Sequence, residues 1–313
     1  MKKIIRLGTR GSPLALIQTE QIRARLLQAH AHLHSDTDIE IVPIRTTGDW
    51  RPEHKERRFV EMGGNKGLFT KEIEEALLAN YIDMAVHSMK DVESTLISAL
   101  DMGAILTRGD PRDAFIGRIA QTLFDLPKGA VVGTSSLRRQ AQILFLRPDL
   151  RVVPLRGNVE TRLKKLEDGM VDATILAVSG MVRLGVDHCI SSILSTSTML
   201  PAAAQGALGV EIRKDDENAR ALLAPLNDYA TSVCVAAERA TMRAIDGNCH
   251  TPAGAYATLT ADGQLAIEAL VARADGTDLI RLAATAPAKD AEQLGERLGL
   301  SLRQKSPKDL FAA

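Results

Sequence analysis

Short apolar runs that read as buried strands hand over to capped helices, and the series occurs twice in succession, which restricts the fold to the α/β class. In the first series Ile4–Thr9 reads as a strand, Ser12 and Pro13 supply an N-cap and a preset first helical residue, and a helix runs from Leu14 to about Leu27. Asp38–Arg45 alternates as a second strand, Lys71–Leu78 is helical, and Ile82–Val86 is the kind of apolar run that a sheet covered on both faces requires. After a loop-like cluster at Asp110–Asp113 the series restarts: strand Ala130–Val132, helix Leu137–Phe145, strand Arg151–Leu155, a helix capped by Asn158 and closed by Gly169, and strand Ala173–Val178. From Asp228 the texture changes to a helix (Ser232–Ala244), three alternating segments at about 253–260, 264–273 and 277–286, and a last helix after Pro287. That predicts a third, smaller α+β domain. Two similar halves predict a cleft between them, where ligands commonly bind.

Composition narrows the function classes. Lys+Arg and Asp+Glu balance at 39 each in 313 residues, so no global charge draws the chain to nucleic acid, and 3% aromatic residues leave little for stacking on bases. No stretch approaches about 18 uninterrupted apolar residues, and Met1–Arg6 runs into a strand without a long apolar segment. A cytoplasmic protein with no membrane partner is expected. Cys189, Cys234 and Cys249 are odd in number and show no C-x-x-C spacing, so neither a disulfide framework nor a metal site is expected. Any charged ligand must therefore be met locally.

Gly133–Arg139 sits where a strand hands over to a helix, so the hydroxyls of Thr134, Ser135 and Ser136, free backbone N–H groups, Arg138 and Arg139 converge at a positive helix terminus. The alternative is an ordinary cap followed by solvated arginines. Leu155–Arg162 repeats the device with Arg156 before the helix and Arg162 one turn inside it, and Thr9–Ser12 repeats it in the first half with Arg10 and Ser12. Gly63, Gly64 and Gly67 make a glycine-rich loop whose Lys66 can reach a charged group, although the nucleotide-binding pattern G-x-x-x-x-G-K-[ST] is not met, and a bland surface loop is the alternative. With Arg183 after Ser179-Gly180, these cations suit a ligand carrying several carboxylates.

Val86–Val92 ends the buried strand of the first half and delivers Ser88, Lys90 and Asp91 to the carboxyl edge, where α/β sheets bind ligands. Asp91 is the candidate acid, able to hold a proton for a leaving amine or to stabilise a cation; a Lys-Asp pair serving structure alone is the alternative. His87 faces away from Ser88 and reads as a core histidine. Cys249 lies in a turn-rich loop, Asp246–Gly254, where a thiol is displayed, whereas Cys189 and Cys234 read as buried fillers. A hydrolase built on Cys249 and His250 has no evident orienting partner.

Together these segments resemble the porphobilinogen deaminase (hydroxymethylbilane synthase) family over nearly the whole chain and in the family's order. The motifs are T-R-x-S-P-L-A-L at Thr9–Leu16, K-G-L-F-x-K-E at Lys66–Glu72, V-H-S-M-K-D-V at Val86–Val92 and D-P-R-D-A-F at Asp110–Phe115. G-T-S-S-L-R-R-Q at Gly133–Gln140, L-R-G-N-V at Leu155–Val159, Q-G-A at Gln205–Ala207 and G-x-C-x-x-P at Gly247–Pro252 complete them. The resemblance implies a transferase that joins four porphobilinogen molecules head to tail, loses ammonia at each step and releases hydroxymethylbilane. It implies a dipyrromethane cofactor covalently held on Cys249, with Lys90, Ser88, Thr134, Ser135, Ser136, Arg138, Arg139 and Arg162 binding it. It further implies Asp91 as the catalytic aspartate, and Arg10, Ser12, Lys66, Arg156 and Arg183 as substrate-binding residues.

The implied fold is two periplasmic-binding-protein-like (type II) α/β domains around a cleft plus a smaller C-terminal α+β domain. The expected boundaries are 1–106 with 205–225, then 107–204, then 226–313, and a monomer is expected. Four departures from the pattern stand out: Glu93 where a proline often follows, Asn65 as an extra residue, Ala204 in place of a glycine, and Asn248 in place of a second glycine.

Overall fold

The computed structural model describes residues 4–34, 38–47, 69–245 and 252–310. Cys249, His250, Lys66 and the glycines 63, 64 and 67 lie outside the described residues. The described chain begins with β1 (Ile5–Arg10), α1 (Pro13–Ala29), β2 (Ile39–Ile44), α2 (Lys71–Leu78), β3 (Met84–Ser88) and β4 (Leu100–Ile105). It continues with β5 (Asp113–Gly117), β6 (Val131–Gly133), α3 (Leu137–Leu146), β7 (Arg151–Val153), α4 (Val159–Glu167), β8 (Ala173–Ala177), α5 (Val178–Leu184) and β9 (Ser192–Ile193). Last come β10 (Leu208–Arg213), α6 (Glu217–Leu223), α7 (Tyr229–Ile245), β11 (Ala253–Leu259), β12 (Gln264–Ala272), β13 (Leu279–Pro287) and α8 (Ala291–Lys305).

Two compact units result, the first from the described residues of Met1–Asp49, Asn65–Gly109 and Gly206–Ser232, the second from those of Trp50–Gly64, Asp110–Gln205 and Val233–Ala313. The sheet of the first unit has the order β2-β1-β3-β10-β4, with β1 parallel to β2 and β3, and β10 antiparallel to both its neighbours. The second unit contains β7-β6-β8-β5-β9, with β6 parallel to β7 and β8, and β5 antiparallel to both its neighbours. In each sheet the antiparallel strand is the one that has just arrived from the other unit. This is the type II periplasmic-binding-protein order, found twice. A three-stranded antiparallel sheet, β11-β12-β13, packs on α7 and α8 around Ala237, Leu265, Ile267, Leu294 and Leu298.

The apolar run of β3 is explained by cover on both faces. Met84 and Val86 join Ile22 and Leu26 of α1 in one cluster, while Ala85 joins Ile73 and Leu77 of α2 in another. Four strands escaped the sequence reading. β4 and β10 carry Asp101, Gly103, Gly209 and Glu211 in their interiors, which breaks the apolar pattern, and β9 is two residues long. The Asp110–Asp113 cluster is loop only as far as Arg112, because Asp113 opens β5 and is fully buried.

Ala204, noted above as a departure, adopts φ +60 and is almost wholly buried, and Gly206 adopts φ +92. A left-handed L-residue costs about 1–2 kcal/mol. Replacing it with glycine forfeits a buried methyl group (about 0.8 kcal/mol) and about 0.4–1 kcal/mol of unfolded-state entropy. Ala204→Gly is therefore expected to lie within about 1 kcal/mol of neutral, whereas Ala237→Gly in the buried interior of α7 should cost about 2 kcal/mol. Denaturant midpoints of the two variants check the contrast.

Candidate functional site

In the first unit the site residues gather at the carboxyl ends of the adjacent parallel strands β1 and β3. Arg10 closes β1, and its guanidinium carbon lies 4.3 Å from the centroid of the Phe69 ring, a cation–π contact. Ser12 caps α1, accepting the Ala15 N–H at 3.3 Å. Ser88 closes β3 and donates to Oε1 of Gln18 at 3.0 Å. Gln18 is buried, so it orients the hydroxyl; the sequence reading missed it, although a glutamine on the inward face of α1 was the available signal.

Lys90 and Asp91 sit in one 3-10 turn, Met89–Asp91. Its first residue is pinned. The Met89 N–H donates to the Ala207 carbonyl at 3.1 Å, and the Met89 sulfur occupies the space a side chain on Gly209 would need: a Cβ there would lie 2.1 Å from it. The result is an exposed Lys90 beside a half-buried Asp91 on a backbone held from below. His87 faces the other side of β3, buried, with Nε2 3.0 Å from Oε2 of Glu211, so it is the core histidine expected, with a partner the sequence did not disclose.

In the second unit the loop after β6 carries Thr134, Ser135 and Ser136. Ser136 caps α3 through the Arg139 N–H at 3.4 Å, Thr134 accepts the Ser136 N–H at 3.2 Å, and Ser135 donates to the Leu155 carbonyl at 3.1 Å. That last bond ties this loop to the next strand end. Arg156 follows there, 2% exposed, among the largest fully buried side chains of the described residues. Asn158 caps α4 by accepting the Thr161 N–H at 2.8 Å, and Arg162 donates from Nε to the Gly157 carbonyl at 2.8 Å. Arg183 lies in the last turn of α5, half-buried, and its burial lowers its pKa from the ordinary guanidinium value.

Arg138 and Arg139 are not solvated, which removes the alternative that their sequence context left open. Both are buried against Asp113. Arg139 donates from Nε (3.1 Å) and Nη2 (2.7 Å) to Oδ1 and from Nη1 to the Ile175 carbonyl (2.9 Å). Arg138 places Nη1 2.9 Å from Oδ2 and donates from it to the Leu200 carbonyl at 2.6 Å. Burial by itself would raise the pKa of Asp113, but Coulomb attraction to the two guanidiniums outweighs it and holds the carboxyl far below the usual range. The two guanidiniums thus favour the ionised form of Asp113. Sequence reasoning misses this residue because Asp110–Asp113 has the composition of a loop, whereas Asp113 opens β5. Of the other thiols, Cys234 is buried as expected; Cys189 is only half-buried, at the edge of the cluster around Met181 and Leu176.

Among the described residues no group of three or more His, Cys, Asp or Glu is arranged to hold a metal ion, and no helix is long and apolar enough to cross a membrane. The family model described as porphobilinogen deaminase, dipyromethane cofactor binding domain, matches residues 5–221, and that of the porphobilinogen deaminase C-terminal domain matches residues 232–304. The chain belongs to the porphobilinogen deaminase family. A porphobilinogen deaminase of Chromobacterium violaceum is 47% identical over 313 residues, covering 100% of this chain and 98% of that relative. One of Paracoccus denitrificans is 47% identical over 98% of this chain and 96% of its own, and a chloroplastic one of Oryza sativa is 45% identical over 98% and 86%. Among solved structures, a TRAP periplasmic solute binding protein from Desulfovibrio salexigens aligns over 72% of this chain and 73% of its own at 9% identity and TM-score 0.43.

Proposed function

We infer that this protein is a porphobilinogen deaminase: a transferase that condenses four porphobilinogen molecules head to tail, releases ammonia at each addition and lets go hydroxymethylbilane, on a dipyrromethane primer held through Cys249. The observation that carries the reading is the buried arginine set at two helix starts, Arg138, Arg139 and Arg156, in a chain of zero formal net charge. Buried guanidiniums in such number require anions. Two of them share one carboxylate, Asp113, so among the described residues one positive charge is left over, and the buried Nε–H of Arg138 has no acceptor there. This donor set fits a cofactor rich in carboxylates, because guanidinium pairs bidentately with carboxylate and stays charged.

Thr134, Ser135, Ser136, Arg138, Arg139, Arg162, Ser88 and Lys90 would hold the cofactor. When bound, dipyrromethane supplies the anchored primer onto which the chain of pyrroles grows. Arg10, Ser12, Lys66, Arg156 and Arg183 bind the acetate and propionate groups of the incoming substrate. Asp91, half-buried on its pinned turn, delivers the proton that the departing amine needs and faces the positive charge left behind. We further propose the three-part division at 1–106 with 205–225, 107–204 and 226–313, supported by a separate apolar cluster in the last segment, and a cytoplasmic monomer.

Intact-mass measurement of the purified protein tests the reading. The expected result is a mass above that of the polypeptide by two linked pyrroles, absent in Cys249→Ser together with turnover. Active protein at the bare polypeptide mass would contradict it.

A further inference from the structure

The Q-G-A motif at Gln205–Ala207 takes no part in the chemistry of Asp91 or Cys249. Its glutamine is 1% exposed, and its Nε2 donates to the Pro111 carbonyl at 2.6 Å and to Oδ1 of Asp113 at 3.0 Å. Oδ1 therefore receives three N–H groups, two from Arg139 and one from Gln205, while Oδ2 faces Nη1 of Arg138. Gln205 is also the last residue of the second unit before the chain re-enters the first. The next residue, Gly206, accepts the N–H of Gly109, which ends the outgoing segment of that unit.

We propose that Asp113, held by Gln205, is a positioning residue for carboxylate binding. Its Oδ1 grips the Nε/Nη2 edge of Arg139 through two hydrogen bonds, while Oδ2 pairs in charge with Nη1 of Arg138 at 2.9 Å without a hydrogen bond, and the carboxylate so fixes the direction of the N–H groups that remain. The count of donors supports this. A guanidinium has five N–H groups. Arg139 directs one from each of its three nitrogens to Asp113 and Ile175, leaving one on Nη1 and one on Nη2. Arg138 gives a hydrogen of Nη1 to the Leu200 carbonyl, and its buried Nε–H has no acceptor among the described residues. Without the carboxylate, two buried like charges would repel and swing apart, and the planar edges would be lost to a ligand. One carboxylate between two guanidiniums leaves, among the described residues, a positive charge uncompensated beside the N-terminus of α3, a ten-residue helix.

The proposal rests on the functional reading above, and the test separates the two. Purified wild type, Gln205→Met and Asp113→Asn are compared by intact mass, melting temperature and steady-state kinetics. Gln205→Met keeps the side-chain volume and removes both donated bonds. It should stay folded, with the chain fraction carrying the two-pyrrole adduct, or the KM for porphobilinogen of the loaded chains, worsened about tenfold and kcat nearly unchanged, because Asp91 is untouched. Asp113→Asn should lose the adduct almost entirely and melt lower. Variants that melt lower yet load fully and keep the wild-type KM would overturn the positioning role, leaving Asp113 to the fold alone. A wild type without adduct would overturn the functional reading itself.

Discussion

Asp91→Asn is expected to lower kcat by about 10²–10⁴-fold, the range that a single positioned proton donor contributes, while the melting temperature stays within a few degrees of wild type. Asparagine keeps the shape of the side chain and cannot deliver a proton. The turn that carries it is held by other atoms: the Met89 N–H on the Ala207 carbonyl, the Val92 N–H on the Met89 carbonyl, and the Met89 side chain over Gly209. None of these involves the carboxylate, so stability and catalysis separate at this residue. Measuring ammonia released per mole of loaded protein in a single turnover, beside a thermal melt, checks both halves. Full-rate release by Asp91→Asn would return Asp91 to a structural Lys-Asp pair.

The largest effect on stability is expected at Glu238. This carboxylate is fully buried on α7; Oε2 accepts the Ala204 N–H at 2.6 Å and Oε1 the Ala257 N–H at 2.8 Å. It thereby joins the strained residue before Gln205 to β11 and to the helix on which it sits. Glu238→Ala leaves two buried N–H groups without acceptors, at about 1–3 kcal/mol each, and adds a cavity. A loss of about 3–6 kcal/mol is expected, a large part of the ~5–15 kcal/mol that holds a typical domain folded. Glu238→Gln should fall between, since the amide presents a donor where an N–H already points. Chemical denaturation followed by far-UV circular dichroism gives the comparison, and an Ala variant within 1 kcal/mol of wild type would show that water replaces the carboxylate at both sites.

Much of the architecture was legible along the chain because its cues are local. The cap of α1 at Ser12, the cap of α3 at Ser136 and the cap of α4 at Asn158 each depend on a side chain and a backbone N–H three residues away. The run Met84–Val86 carries its own evidence of burial on both faces. Strand β4 was not legible because Asp101 and Gly103 interrupt its apolar pattern, and β10 was not because Glu211, in a buried strand, is paired with His87, 124 residues earlier in sequence. Cys189 misled for the same reason: apolar neighbours along the chain do not say how near the surface a cluster lies.

For the candidate site, residue types and their delivery to strand ends could be read from the order of residues, since a strand followed by a capped helix presents hydroxyls, N–H groups and nearby arginines in one place. The sequence by itself thus determined the repeated α/β plan, the placement of Asp91, Ser88 and Lys90 at the carboxyl edge of β3, and the grouping of Thr134–Arg139 at a helix start. Only the tertiary structure decided which guanidiniums are buried, that Asp113 and Gln205 stand behind them, that Gln18 orients Ser88, and that Ala204 bears a left-handed backbone. The physical reason is range: capping and periodicity act over three or four residues, whereas the partner of a buried charge is chosen by which distant strand the sheet brings beside it.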